Sequence, residues 1–449
     1  MPVSLFGTDG VRGIANDSLT PGLVFRLSRS VAVWFRRKFG GDGRAVVVVG
    51  RDTRRSGDMF TAAVIAGVTS TGADVLSLGV VPTPAVAHAV ANSSDAVGGI
   101  VVSASHNPAA YNGIKLFGGE GRKLSLDDEA EIEGLVEQCP GCLPRGTSVG
   151  VVHHGAQEVA AYLHDLACAP GHSLDGIRIL LDCANGAGFR LGPAAFRDAG
   201  AVVTALFDEP DGFNINGGCG STRPEVLRAA MLAGDYDLGI SLDGDADRVV
   251  AVSPEGQILD GDDILYILAR DLKERNLLPG NRVVTTIVNN RGLDASLKTE
   301  EVEVVHCSVG DREIMYTMQR EGASLGGETS GHILMEDFSV SGDAILAALM
   351  VTSVLVRTKR SVGALLEGLT KFPQVLVNVP VRDREALLGD QVIATRIEEI
   401  EGLLGDEGRV LVRASGTEPV VRVMVECPGA GEAERMARDL ADVVSERLS

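Results

Sequence analysis

Cations, aromatics and long apolar runs are all scarce in this chain. Lys and Arg number 41 against 61 Asp and Glu, a formal charge of −20. A nucleic-acid backbone would be repelled, so nucleic acid is excluded as a partner. Aromatic residues make up 4% and tryptophan occurs once, too few to offer stacking platforms for bases. The longest apolar stretch, residues 345–356, includes Thr352 and Ser353. It is too short to span a bilayer and reads as a core helix, so no membrane partner is expected. Residues 1–7 carry neither a basic nor an apolar targeting region. Seven cysteines is an odd number, and free thiols in a cytoplasmic protein are the expectation. The lone C-x-x-C, Cys139 to Cys142, has no second pair and reads as a turn rather than a zinc or redox site.

Glycine and aliphatic residues are plentiful: 55 glycines and 45% hydrophobic content in 449 residues. That length exceeds one ordinary core, and the composition fits a loop-rich α/β protein of several domains. Thr20-Pro21 reads as a cap and first turn, with a helix over 22–38. Ala45 to Val49 is apolar on both faces, as a central parallel strand should be, and ends at Gly50-Arg51-Asp52-Thr53-Arg54. Strands and helices alternate from there. Similar α/β units restart at Ile177 and at Arg282, and Phe372-Pro373 marks the entry to a segment of mixed strands and helices. The expected domains are 1–154, 155–255, 256–370 and 371–449: three similar α/β units and a smaller C-terminal α+β unit. Their repetition is one of topology, with no residue-level repeat.

Four stretches carry chemistry. Ile100-Val101-Val102-Ser103-Ala104-Ser105-His106-Asn107-Pro108 is a buried strand that stops at small polar residues, leaving the Ser105 hydroxyl where α/β sheets put their ligands. Asp243-Gly244-Asp245-Ala246-Asp247-Arg248 follows another buried strand. Its alternate carboxylates on a tight loop can converge on one hard cation. An EF-hand fails on spacing, and a three-carboxylate site leaves positions open for substrate oxygen, which suits Mg²⁺ beside a phosphate. Gly326-Gly327-Glu328-Thr329-Ser330-Gly331-His332 offers Glu328 and Ser330 for sugar hydroxyls and an imidazole, His332, able to move a proton near neutral pH. Arg413-Ala414-Ser415-Gly416-Thr417-Glu418-Pro419, followed by Arg422, supplies guanidinium, hydroxyls and amides around Gly416 for a phosphate. It lacks the lysine of a nucleotide P-loop. Each stretch alone is compatible with an ordinary turn.

Taken together and in this order, these stretches and Phe6-Gly7-Thr8-Asp9-Gly10-Val11-Arg12-Gly13 resemble the α-D-phosphohexomutase family over essentially the whole chain, and most closely its bacterial branch acting on glucosamine phosphates. The resemblance implies three mixed α/β/α sandwich domains plus the smaller C-terminal domain around a central cleft. It implies that Ser105 carries a phosphoryl group and that Asp243, Asp245 and Asp247 hold Mg²⁺ against it. Glucosamine 6-phosphate and glucosamine 1-phosphate would interconvert through a glucosamine or glucose 1,6-bisphosphate that turns over in place. In that scheme Arg12 and Arg248 stabilise the moving phosphoryl group, and Lys115 and His332 handle protons. Glu328 and Ser330 hold the sugar, and Arg413, Ser415, Gly416, Thr417 and Arg422 grip the distal phosphate. Arg51 and Arg54 would add local positive charge for an anionic substrate. Two positions depart from the usual pattern: Thr329, where relatives carry Gln, Asn or Met, and Arg223, where His is usual. Motion of the C-terminal domain about Phe372-Pro373 and a homodimer through the first domain are further expectations. The rival readings are a mutase for mannose or glucose phosphates, a phosphatase, and a non-catalytic sugar-phosphate binder.

Overall fold

Seven consecutive residues, Ala96–Val102, are small or β-branched aliphatics and lie fully buried. Such a strand must be covered on both faces, and its neighbours show how. In the computed structural model, which describes residues 5–7, 9–40, 44–138, 143–383, 385–405, 408–414 and 420–448, it lies inside a six-stranded sheet. The order is Val11–Ile14, Tyr111–Phe117, Ala96–Val102, Val46–Arg51, Asp74–Val80, Val152–His154. The last four run parallel, while Tyr111–Phe117 is antiparallel to Ala96–Val102 and Val11–Ile14 is antiparallel to Tyr111–Phe117. Val47, Val49, Val75, Ile100 and Val102 share a core with Val24, Leu27, Val31, Phe35, Phe60 and Val64 from the helices Pro21–Lys38 and Gly57–Thr69. Each such side chain contributes about 1.5–3 kcal/mol by leaving water, so the strand end bearing Ser105 is a fixed platform.

Tyr111–Phe117 did not stand out as a strand in the sequence, because Asn112 and Gly113 blunt its apolar alternation. It matters for the site: pairing Val101 with Lys115 brings that lysine beside the Ser105 strand.

Two more sheets follow the same plan. One orders Ile258–Leu259, Val249–Val252, Leu238–Leu242, Arg178–Asp182 and Val202–Leu206; the other orders Glu303–Cys307, Arg282–Thr286, Leu325–Gly327 and Ile333–Met335. The fourth is a three-stranded antiparallel sheet, Gln374–Pro380, Val420–Glu426, Arg409–Ala414, packed on the helices Gln391–Leu404 and Ala430–Leu448. Three α/β domains and a smaller C-terminal α+β domain are the architecture the sequence pattern predicts. Among the described residues no helix is long and apolar enough to cross a membrane. The apolar stretch in question forms Ala344–Thr358, buried from Ala344 to Leu355.

By backbone proximity the chain divides into residues 1–287 with 305–366, and residues 288–304 with 367–449. The second unit therefore includes the helix Arg291–Thr299. Within it, the Asn290 amide donates to Phe372 O at 3.0 Å and accepts from Phe372 N at 2.8 Å, and Thr370 N donates to Ser296 Oγ at 3.1 Å. Phe372 is thus held inside its unit, and the chain passes between units near residues 287, 304 and 366.

Candidate active site

Ser105 is 1% exposed and adopts the left-handed region at φ 50°. An L-residue does so at a cost of about 1–3 kcal/mol unless its surroundings enforce it. Here they do. Arg54, wholly buried, donates to the carbonyls of Ser105 and Asn107 at 2.8 Å each, to Tyr111 O at 3.1 Å, and to Pro108 O. Its Nε donates to Asp52 Oδ2 at 2.8 Å. The same carboxylate accepts from Ser103 Oγ at 2.6 Å, and Ser103 Oγ accepts from Ser105 N at 3.0 Å. The Asn216 amide adds a donor to Ser105 O at 2.9 Å. Arg54 is therefore the clamp of the serine loop and is not free to meet a substrate anion. Arg51 is paired with Asp58 at 2.6 Å. Neither supplies the spare positive charge expected of it.

The serine hydroxyl donates to Asp243 Oδ2 at 2.6 Å. Asp243, Asp245 and Asp247 are all buried, with one oxygen from each lying within 4.8 Å of the others. Close docking of the two loops depends on Gly244, where a Cβ would sit 2.6 Å from Ser105 O and 2.7 Å from Asn216 Nδ2. Burial, then the charges of Asp247 and Asp245, push the Asp243 carboxyl well above the usual range. At Asp247, burial works upward too, but Lys115, His332 and Arg248 outweigh it and hold that carboxyl low. Among the described residues, Asp245 Oδ1 and Asp247 Oδ1 find no hydrogen-bond partner, though both are buried. Two orphaned carboxylate oxygens in a cluster of three buried aspartates, beside the left-handed Ser105, fit a small hard divalent cation such as Mg²⁺.

Cations crowd the same place. Lys115 Nζ lies 2.8 Å from Asp245 Oδ2, 2.9 Å from Asp247 Oδ2 and 3.2 Å from Asp9 Oδ2. Burial favours its neutral form, but Asp245, Asp247 and Asp9 push its pKa well above the ordinary lysine value. In this arrangement it is a held cation, and it could take up a proton only after first giving one up, which Asp245, Asp247 and Asp9 oppose. Arg12 pairs with Asp9 and donates to Asn107 Oδ1 at 3.2 Å, two residues beyond the serine. Arg248 reaches toward His106 Nδ1 at 3.4 Å and Glu328 Oε1 at 3.8 Å. His106, which the sequence presented only as part of a turn, has Nδ1 3.3 Å from Ser105 Oγ. Burial, then Arg248 and Arg12, lower its pKa. His332 Nε2 lies 3.8 Å from Asp311 Oδ2. Ser330 Oγ donates to Glu328 Oε1 at 2.6 Å, and Val249 N donates to Gly331 O at 3.0 Å, tying this loop to the strand after the carboxylates. Thr329 Oγ1 is turned onto Asp262 Oδ2 at 3.1 Å.

Within the C-terminal sheet, Arg413 and Arg422 are directly opposed on neighbouring strands. Like charges in register are an unfavourable pairing for a sheet. Ser415, Gly416 and Thr417 lie outside the described residues, as do Cys139 and Cys142.

Comparison with known proteins gives a consistent result. Sequence models of the phosphoglucomutase/phosphomannomutase α/β/α domains I, II and III match residues 3–139, 160–256 and 260–372, and the model of its C-terminal domain matches 376–443. A phosphoglucosamine mutase of Pelotomaculum thermopropionicum is 45% identical over 444 residues, 98% of this chain and 99% of that one. Among solved structures, a phosphoglucomutase/phosphomannomutase family protein of Burkholderia thailandensis aligns with TM-score 0.83 at 24% identity, covering 99% of this chain and 97% of that one. The N-acetylphosphoglucosamine mutase of Aspergillus fumigatus, in complex with GlcNAc-6P and magnesium, aligns with TM-score 0.70 at 19% identity, covering 99% and 96%.

Proposed function

The chain belongs to the phosphoglucomutase/phosphomannomutase family, and from that premise we propose that it interconverts glucosamine 6-phosphate and glucosamine 1-phosphate as an intramolecular phosphotransferase. The observation that carries the reading is the Ser105 hydroxyl, 2.6 Å from a carboxylate of a three-aspartate cluster. Phosphoryl transfer needs charge neutralisation and in-line positioning more than covalent ingenuity, and this site is built for both. Asp243, Asp245 and Asp247 would hold Mg²⁺, which would supply a counter-charge to the phosphoryl oxygens.

The chain's own groups do the rest. Phosphoserine 105 gives its phosphoryl group to the 1-hydroxyl of the 6-phosphate: the phosphorus–Oγ bond breaks, a phosphorus–O1 bond forms, and the hydroxyl proton leaves. The 1,6-bisphosphate then reverses, and the 6-phosphoryl group returns to Ser105 Oγ. Arg12 and Arg248 face the transferring oxygens, while Lys115 adds fixed positive charge. His332 takes the hydroxyl proton in one direction and returns it in the other. Glu328 and Ser330 accept and donate to sugar hydroxyls that present similar edges in both orientations. Arg413 and Arg422 hold the phosphate not being transferred, with Ser415, Gly416 and Thr417. Reversal of the intermediate calls for motion of the C-terminal domain, as expected about Phe372-Pro373, closing on phosphate and excluding water. A homodimer, taken over from the family, completes the proposal, and light scattering at a single species of twice the monomer mass checks it.

Intact mass after incubation with glucose 1,6-bisphosphate, followed by rates on glucosamine, glucose and mannose 6-phosphates, tests the function. The expected result is one added phosphate and a clear preference for the amino sugar. No covalent phosphate would leave a sugar-phosphate binder, and a preference for mannose or glucose phosphate would move the chain to the other mutase activity.

A further inference from the structure

One carboxylate near the serine belongs to neither the metal cluster nor the sugar loop. Asp9 Oδ2 accepts from Arg12 Nη2 and lies 3.2 Å from Lys115 Nζ, while Oδ1 accepts from Lys123. Lys123 in turn pairs with Asp311, whose Oδ2 is 3.8 Å from His332 Nε2. The run Arg12–Asp9–Lys123–Asp311–His332 thus joins the phosphoryl side of the site to the imidazole side. Asp9 is held over the strand Tyr111–Phe117 by Gly10, which sits at φ 77° and whose Cβ, if present, would lie 2.2 Å from Ile114 O. Burial favours the neutral acid at Asp9, but Lys115, Lys123 and Arg12 hold the carboxyl well below the usual range.

We infer that Asp9 is a positioning residue for phosphoryl transfer: it fixes the Arg12 guanidinium and the Lys115 ammonium at Ser105, and Lys123, braced on Asp311, fixes Asp9. The inference rests on the mutase reading and names a residue that reading does not use. A divalent cation on Asp245 and Asp247 would compete with Lys115 for those oxygens, leaving Asp9 as the partner that holds the ammonium in the site. An unanchored guanidinium and ammonium still bind phosphate, but they no longer sit where charge develops in the transition state. The loss therefore falls on kcat rather than on KM.

The test is a kinetic cycle. Asp9→Asn lowers kcat about 10²-fold, the size of losing one preorganised charge contact, with KM within about threefold. In an Arg12→Ala background the same change costs clearly less than in the wild type, because one of the two groups Asp9 acts through is already gone and only Lys115 is left to lose its partner. Additive losses, or a kcat for Asp9→Asn within threefold of wild type, overturn the inference. Should Asp9→Asn fail to fold, Lys123→Gln keeps the Asp9 charge and removes only its brace. An expected tenfold fall in kcat at unchanged KM supports the inference there, and a wild-type kcat refutes it. Uptake of phosphate from glucose 1,6-bisphosphate by the wild type is measured alongside. Its absence sinks the mutase reading itself, whereas its presence with an unaffected Asp9→Asn sinks only the role of Asp9.

Discussion

Replacing Arg54 with Met separates the clamp of the serine loop from the chemistry it serves. The guanidinium and Asp52 are both wholly buried, and removing one member of a buried pair costs about 3–5 kcal/mol. Burial already raises the Asp52 carboxyl despite Arg54, so the stranded acid takes a proton and the loss falls near the lower end, about 3 kcal/mol. For a domain of this size that lowers the first unfolding transition by roughly 6–12 °C. The carbonyls of Ser105, Asn107, Pro108 and Tyr111 lose their common donor, and the left-handed Ser105 can relax toward ordinary backbone. A displacement of about 1 Å of Oγ from Asp243 costs on the order of 10²-fold in kcat. Calorimetry and steady-state kinetics read the two effects separately. Adding Asp52→Asn to Arg54→Met removes the stranded acid, so it should restore part of the melting temperature but none of the rate. If Arg54→Met kept both its melting temperature and its kcat, the clamp would have no role and the placement of Ser105 would need another cause.

Two further outcomes depend on protons. The Asp243 carboxyl is raised by burial and by Asp247 and Asp245, so Mg²⁺ must displace its proton, and affinity should climb with pH by up to about tenfold per unit while that proton remains. Calorimetry in two buffers of different ionisation heat measures the proton released, and an affinity flat from pH 5 to 8 would sink the idea. Asp343 caps the helix Ala344–Thr358 and accepts from Tyr162 Oη at 2.8 Å, and burial raises its pKa to about 6. Its folded pKa lies above the unfolded one, so the folded state binds the extra proton between roughly pH 4 and 6, and stability falls as pH rises through that window. Asp343→Asn keeps the cap and should raise stability at pH 7.5 by about 1–3 kcal/mol, seen as a higher melting temperature and a flatter pH profile. A lower melting temperature at pH 7.5 would contradict it.

Much of the fold was legible because buried parallel strands announce themselves: Val46–Arg51, Ala96–Val102 and Leu238–Leu242 are apolar on both faces and end in polar loops. The carboxylates of the Asp243 loop were legible for a similar reason, since alternate acids on a glycine-bearing turn have few other uses. What escaped the sequence is direction and pairing. Arg54 looks like charge delivered to solvent at a strand end, and only the fold turns it inward onto four carbonyls. Asp9 was visible in its glycine-flanked stretch, yet its partners Lys115, Lys123 and Arg12 come from separate segments. Asp311 opens a helix, a common place for an acid, and nothing local marks it as a brace for Lys123. The helix Arg291–Thr299 lies in sequence between two strands of the third sheet, but Asn290 and Ser296 bond to Phe372 and Thr370, and it groups with the C-terminal unit.

The pairing also changes how an acidic protein handles an anionic substrate. A surplus of local Arg and Lys was the obvious remedy for a charge of −20. Around the serine and the aspartate cluster, Arg12, Lys115, Lys123 and Arg248 each already have an acidic neighbour among Asp9, Asp245, Asp247, Asp311 and Glu328. On the proposed reading, a divalent cation on Asp243, Asp245 and Asp247 would supply the missing positive charge, and Lys115 and Arg12 would be shared between Asp9 and phosphate oxygens. Phosphate binding then becomes an exchange of partners among groups already desolvated and already ordered. That lowers the entropic cost of closing around the substrate, and it makes affinity for phosphosugar depend on metal in a way that a simple basic pocket would not.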